Sequence, residues 1–137
     1  MSVFPSEPRW LAPADVISIN RREVAETRES FFLRDEGALE SAVRKPRNLW
    51  YYEGEDDVAV LASAFLFGIA RNHPFEQGNK RTGFTAALVF LQLNGYEVTL
   101  EDDESLADII VDVITRKLSE DDFHVFLAAG VQPSKSR

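Results

Sequence analysis

The stretch HPFEQGNKRTG, residues 73–83, places one titratable base and two cations within a short segment. His73 ionises near neutral pH, so its imidazole can take a proton from an attacking hydroxyl. Lys80 and Arg81 carry the positive charge that holds and neutralises a phosphoryl group. These residue types, so close together, indicate chemistry on a phosphate.

The backbone of this stretch has its own signals. His73 precedes a proline, which disfavours the α conformation, so we expect the preceding helix to end near His73. Phe75 is the only large apolar residue before the next helix and is expected to pin the segment to the core. Gly78 permits a bend that a side chain would block.

Asn79, Lys80 and Arg81 then stand at the start of the following helix. The free N–H groups of a helix N-terminus bind anions, whereas cations are unfavourable there. A bound polyphosphate explains the two cations. The alternative is an ordinary Gly-Asn turn with solvated cations, in which His73 only caps a helix.

Helical periodicity dominates the rest of the chain and predicts an all-α fold. A proline at position 46 is expected to end the second helix, and the aromatic segment 47–54 to form a loop or a short extended flap. Residues 96–100 form at most a short strand. The expected helices are 14–28, 35–45, 56–71, 81–93, 104–118 and a last one that Ser119 and Asp122 cap and Gly130 closes.

Length and composition predict one compact domain. The chain has 137 residues, of which 45% are hydrophobic, enough for one core. We expect a single domain over 1–137, a core over about 11–129 and a flexible polar tail over 130–137.

Charge and residue counts exclude several classes of protein. The formal net charge of −8 argues against a nucleic-acid partner. The absence of cysteine excludes disulfide scaffolds and thiolate zinc sites, and a total of two histidines nearly excludes a multi-histidine metal site. The longest uncharged run, 58–70, is shorter than the roughly 20 residues that span a bilayer. Without a signal-peptide pattern at the start, we expect a cytoplasmic protein and no membrane partner.

The segment from His73 to Arg81 resembles the H-x-F-x-[D/E]-[G/A]-N-[G/K]-R motif of the Fic/Doc (Fido) family. Its Asn-Lys-Arg-Thr sequence is similar to the Doc, or death-on-curing, branch. The Fic branch has Asn-Gly-Arg and a second arginine where this chain has Phe84. The segments 34–46 and 90–96 also resemble the family, so the similarity covers nearly the whole core.

The resemblance implies a small helical domain of about six helices that uses ATP as a substrate. Enzymes of the Fic branch transfer AMP to a protein hydroxyl. Toxins of the Doc branch bind the nucleotide the other way round and transfer the γ-phosphate to a threonine of translation elongation factor Tu, which halts translation. The chain lacks the [S/T]-x-x-x-E-[G/N] inhibitory motif of many Fic proteins. An antitoxin in trans, folding as a helix into a groove, is then expected.

The resemblance also assigns roles to individual residues. His73 matches the general base, and Gly78 lets the backbone close on the anion. Lys80 replaces a glycine of the Fic-type anion site, which favours phosphoryl transfer over AMP transfer. The positions implied to bind phosphate or nucleotide are Gly78, Asn79, Lys80, Arg81 and, two residues before the base, Arg71.

Gln77 departs from the motif, because it stands where an acidic residue would hold Mg²⁺. A nucleotide-bound Mg²⁺ usually has one or two protein carboxylates as ligands. Three outcomes stay open: Mg²⁺ held by phosphates and water with weak help from Gln77, Glu76 rotated into the site, or weakened catalysis. Besides the Doc-like enzyme, the sequence thus allows an AMP-transferase, a catalytically degenerate Fido scaffold, or a helical domain with a chance motif.

Overall fold

The computed structural model describes residues 2–98 and 119–134, and within them the protein is mostly helical. This confirms the predicted fold class. The predicted helix 104–118 lies outside the described residues. The helices are α1 (Pro13–Glu26), α2 (Glu36–Glu53), α3 (Val58–Asn72), α4 (Asn79–Leu93) and α5 (Glu120–Gly130), and the strands are β1 (Tyr96–Val98) and β2 (Val131–Pro133).

α3 is the central helix. Twelve of its fifteen residues are buried, which is expected for a helix that is apolar all round. It packs against α4, α2 and α5. Its own Phe65 and Phe67 meet Phe90 of α4 and Phe123 of α5, with ring centroids 4.9 and 5.2 Å apart. Among the described helices, none is long and apolar enough to cross a membrane.

Two glycines bring backbones close together on either side of α3. A Cβ atom built on Gly83 of α4 would lie 2.6 Å from the carbonyl oxygen of Leu66, far inside contact distance. A Cβ built on Gly68 of α3 would lie 3.2 Å from the carbonyl oxygen of Ala42 in α2. The α3–α4 pair therefore depends on a residue without a side chain, whereas the α2–α3 contact at Gly68 is close but less tight.

The sequence predicts that α2 ends at Pro46. In the structure it continues through Pro46 to Glu53. Pro46 has no N–H to donate to the carbonyl of Ala42, four residues earlier. That carbonyl instead faces the Gly68 backbone of α3, and the proline ring is buried. Tertiary packing thus outweighs the local cost of the proline.

The expected loop or short extended flap over 47–54 is therefore wrong, because residues 47–53 form the last turns of α2 and Gly54 is its C-cap. Trp50 packs there against Trp10, with ring centroids 6.5 Å apart. The helix ends at Gly54, whose φ of 67° is the left-handed conformation that glycine adopts without strain. Tyr51 and Tyr52 stay exposed on the helix surface.

A small antiparallel sheet ties the segment after α4 to the segment after α5. Tyr96 pairs with Pro133 and Val98 with Val131, and the Ser134 N–H donates to the Gly95 carbonyl at 2.8 Å. Within the predicted flexible tail, Val131–Pro133 forms a strand, because β1 supplies partners for its backbone groups. Residues 135–137 of that tail lie outside the described residues.

Candidate active site

The sequence stretch singled out above forms the loop between α3 and α4. His73 is the C-cap of α3, with φ 50° and ψ 54°, and its N–H donates to the Ile69 carbonyl at 3.3 Å. The predicted end of the helix near His73 is confirmed. The exposed His73 side chain has no hydrogen-bond partner in the described part of the chain, so the imidazole is open to a substrate.

A reciprocal clamp fixes the middle of the loop. Phe75 is fully buried and pins the loop to the core, as predicted. The Asn79 Oδ1 accepts from the Phe75 N–H at 3.0 Å, and the Asn79 Nδ2 donates to the Phe75 carbonyl at 2.8 Å. The Asn79 side chain, which the resemblance assigns to phosphate binding, is used within the loop, whereas its main-chain N–H lies in the first turn of α4.

The extended segment before α2 covers one edge of this loop. Leu33 and Phe75 form an antiparallel bridge, and the Glu76 N–H donates to the Phe32 carbonyl at 3.0 Å. The Arg34 Nη2 donates to the His73 carbonyl at 2.9 Å. The backbone that carries His73 is therefore held from outside the loop as well as from within.

Asn20 of α1 holds the far side of the loop. Its Nδ2 donates to the Gln77 carbonyl at 2.9 Å and to the Thr82 Oγ1 at 3.0 Å, and the residue is 1% exposed. Its Oδ1 has no hydrogen-bond partner among the described residues. No sequence pattern marks Asn20, because its contacts lie 57 and 62 positions away.

The N-terminus of α4 differs from those of most other helices in the described structure. Side chains cap α2, α3 and α5 through Asp35, Asp57 and Ser119, whereas no side chain caps α4. Its N-cap is Gly78, with φ 74°, and a Cβ there would lie 3.3 Å from the Val24 Cγ1. First-turn N–H groups without a side-chain cap suit an anion.

The two cations of the motif have different surroundings. Lys80 is exposed and its ammonium has no partner within residues 2–98 and 119–134. Arg81 is tied to α1: its Nε donates to the Glu23 Oε1 at 2.9 Å and its Nη2 to the Glu23 carbonyl at 3.0 Å. Both stand in the first turn of α4, as the sequence predicts.

Arg71 lies on the other side of the loop. It forms an ion pair with Glu120 of α5, and its guanidinium lies 5.2 Å from the centre of the Phe67 ring. With Lys45 it lines a cavity of about 380 Å³ between α2 and α3. Burial, and then the nearby Arg71 charge, lower the pKa of Lys45. The structure therefore groups Arg71 with α2 and α5, not with Arg81.

The donor set at the motif does not match a protein-held Mg²⁺. Glu76 and Gln77 are both exposed, and only Glu76 carries a charge. Within the described ranges, no group of three or more His, Cys, Asp and Glu side chains is arranged to hold a metal ion.

Comparison with known proteins agrees with the motif. The Fic/DOC family profile matches residues 10–91. Protein kinase doc of Escherichia phage P1 is 29% identical over 111 residues, which cover 81% of this chain and 86% of that protein. Toxin Doc of Mycolicibacterium smegmatis is 38% identical over 100 residues, which cover 70% of this chain and 75% of that protein. The chain therefore belongs to the Fic/DOC family.

Proposed function

We propose that the protein is a Doc-like toxin that transfers the γ-phosphate of ATP to a hydroxyl group of a protein, with elongation factor Tu as the expected target. Two relatives that cover most of the chain support this proposal, since one is named a protein kinase and the other a toxin. Modification of this translation factor in the cytoplasm would halt protein synthesis.

The clamp between Asn79 and Phe75 is the observation that carries the proposal. It fixes a short loop that has the open imidazole of His73 at one end and the uncapped start of α4 at the other. A base and an anion site held by one rigid loop are what in-line phosphoryl transfer needs, because that reaction depends on positioning and on charge stabilisation.

The proposed reaction uses these residues in turn. The His73 imidazole takes the proton of the target hydroxyl while its oxygen forms a bond to the γ-phosphorus. The bond from that phosphorus to the β–γ bridging oxygen breaks, and ADP leaves. Lys80, Arg81 and the first N–H groups of α4 balance the charge on the phosphate oxygens. ATP enters as its Mg²⁺ complex, a substrate and not a resident cofactor.

Lys80 distinguishes phosphoryl from AMP transfer in this proposal. A lysine side chain now stands where the Fic-type anion site has a glycine, and its ammonium has no protein partner in the described structure. A free ammonium suits a terminal phosphate, which carries more charge than an internal one. We further propose an antitoxin that binds the protein in trans.

Incubation of the purified chain with elongation factor Tu and with ATP labelled at either the γ or the α position tests the proposal. We expect label only from the γ position. His73→Asn keeps a residue type that tolerates the left-handed backbone and should lower transfer by about a hundredfold to ten-thousandfold. His124→Asn, which changes the other histidine, is the matched control. Label from the α position alone would mean AMP transfer.

A second candidate function is nucleotide or partner binding without turnover, and the exposed Gln77 favours it. Its carbonyl is held by Asn20, but its side chain supplies no charge to a metal. Gln77→Asp would then create transfer activity that the native chain lacks. Equal γ-label transfer by both proteins would eliminate this candidate.

A further inference from the structure

We infer that Glu23 of α1 is a positioning residue that orients the Arg81 guanidinium towards the transferred phosphate. The inference rests on the proposed function, since it gives a role to one contact of the same site. Glu23 lies 58 positions before Arg81 and belongs to no part of the family motif.

The guanidinium is held along one side only. Its Nε donates to the Glu23 Oε1 at 2.9 Å, and its Nη2 donates to the Glu23 carbonyl at 3.0 Å and to the Thr27 Oγ1 at 3.3 Å. Its Nη1 has no partner among the described residues. Two N–H donors of a fixed, planar cation thus stay available to a phosphate oxygen.

Glu23 is itself immobilised. Its second oxygen, Oε2, accepts from the Thr85 Oγ1 at 2.8 Å, so each carboxylate oxygen has a partner on α4. Its side chain is 14% exposed, whereas that of Arg81 is 43% exposed. Arg81 and Thr85 lie one turn apart on α4, so Glu23 runs along the side of the helix. An anchor held at two points can fix the direction of a more exposed arginine.

The position of Glu23 leaves the N-terminal end of α4 open to an anion. No hydrogen bond joins its carboxylate to the first-turn N–H groups of α4 in the described structure. The guanidinium nevertheless lies at that end, since a Cβ on Gly78 would be 3.8 Å from the Arg81 Nη2. Glu29 is a more distant partner, with an oxygen 3.6 Å from the same nitrogen.

A competing explanation is that the Glu23–Arg81 ion pair is a latch, which an incoming phosphate must open. The two explanations predict opposite effects on ATP binding. A positioning residue strengthens binding through the orientation of Arg81. A latch weakens binding, because the carboxylate competes with the phosphate for the same cation.

Glu23→Gln and Glu23→Ala separate orientation from charge. Glutamine can still accept from the Arg81 Nε and donate to the Thr85 hydroxyl, so the guanidinium keeps its direction. Alanine removes both contacts. We expect Glu23→Ala to raise the dissociation constant of ATP about tenfold and to lower kcat/KM for γ-label transfer by up to about a hundredfold, the effect of a displaced binding group. Glu23→Gln should stay close to the native protein in both.

The controls use the same helix and the same arginine. Glu26→Ala removes an exposed acid of α1 and should behave as native. In the Arg81→Ala background, Glu23→Ala should cause no further loss of ATP affinity, because its effect passes through Arg81. Thermal melting of each variant shows which of them remain folded.

Several outcomes would overturn the inference. Tighter ATP binding by both Glu23 variants would establish the latch. An equal loss in the native and the Arg81→Ala backgrounds would mean that Glu23 only stabilises the fold, and a native chain that binds no ATP would leave Glu23 nothing to position. A native chain that binds ATP but transfers no label would refute the proposed phosphotransferase activity. The ATP dissociation constants of the Glu23 variants would still test whether Glu23 orients Arg81.

Discussion

On each of two faces of α3, a glycine lets a neighbouring helix approach closely, but the two contacts differ in tightness. Towards α4, a Cβ on Gly83 would lie 2.6 Å from the Leu66 carbonyl oxygen. Towards α2, a Cβ on Gly68 would lie 3.2 Å from the Ala42 carbonyl oxygen, and a cavity of about 380 Å³ opens nearby. The face that supports the motif is thus the closer packed of the two.

Each face also has an arginine near the loop, and their partners differ. Arg81, beside the α4 face, is fixed by Glu23, and its Nη1 has no partner among the described residues. Arg71, beside the α2 face, is paired with Glu120 and lines the cavity with Lys45. Two arginines that flank the same loop in sequence are therefore held by different elements of the fold.

The largest expected effect tests the packing difference itself. Gly83→Ala should lower the free energy of unfolding by about 3 kcal/mol, because the new methyl group overlaps a backbone oxygen that cannot move freely. Gly68→Ala should change it by less than about 1 kcal/mol, since the gain in helix propensity offsets a milder overlap. Urea unfolding of the two variants measures both values. Equal losses would show that the faces are equally tight.

The next effect separates the two arginines. Arg81→Ala should lower γ-label transfer about a hundredfold, the usual loss when one donor to a transition-state oxyanion is removed. Arg71→Ala should lower transfer less than about tenfold and act mainly on thermal stability, through its contact with Glu120. Parallel label-transfer and melting assays distinguish these patterns. A hundredfold loss of transfer in Arg71→Ala would place the α2 face in the active site.

The smallest effect concerns His124 of α5, which packs on α3. Burial lowers its pKa below the ordinary value of 6.5, although Asp121, Asp57 and Glu55 act in the opposite direction and Lys45 adds to the decrease. The unfolded chain therefore binds this proton first as the pH falls, and stability present above pH 6.5 is lost below it.

Thermal melting at about pH 7.5 and about pH 5.5 measures this loss, with His124→Gln as the reference. The native protein should lose more stability than the variant on acidification. If the two melting temperatures fall in parallel, the folded-state pKa of His124 is not depressed.

Local chemistry made part of the structure predictable. The proline after His73 ends α3 where the sequence indicated, and Phe75 is buried as expected. The Ser119 Oγ accepts from the Asp122 N–H at 3.0 Å, so the predicted start of α5 is confirmed. Each of these features depends on residues a few positions apart, which is the range that sequence patterns report.

The missed features depend on distant partners. Asn20 and Glu23 reach the motif across 57 to 62 positions, and no local pattern marks either residue. Pro46 looked like a helix end because its cost is local, whereas the packing that offsets it comes from α3. The motif indicated the candidate site residues, but not which residues hold them in place.

The pairing of the N-terminal segment with the start of α3 offers a place for a probe. The Val58 N–H donates to the Ser2 carbonyl at 2.9 Å, and Phe4 is buried behind it. Val3 is 47% exposed between them, and fifteen helical residues, about 22 Å, separate this end of α3 from the loop. Because the chain has no cysteine, Val3→Cys would carry a single fluorophore. That label would report detachment of this segment from the start of α3, at a distance from the loop.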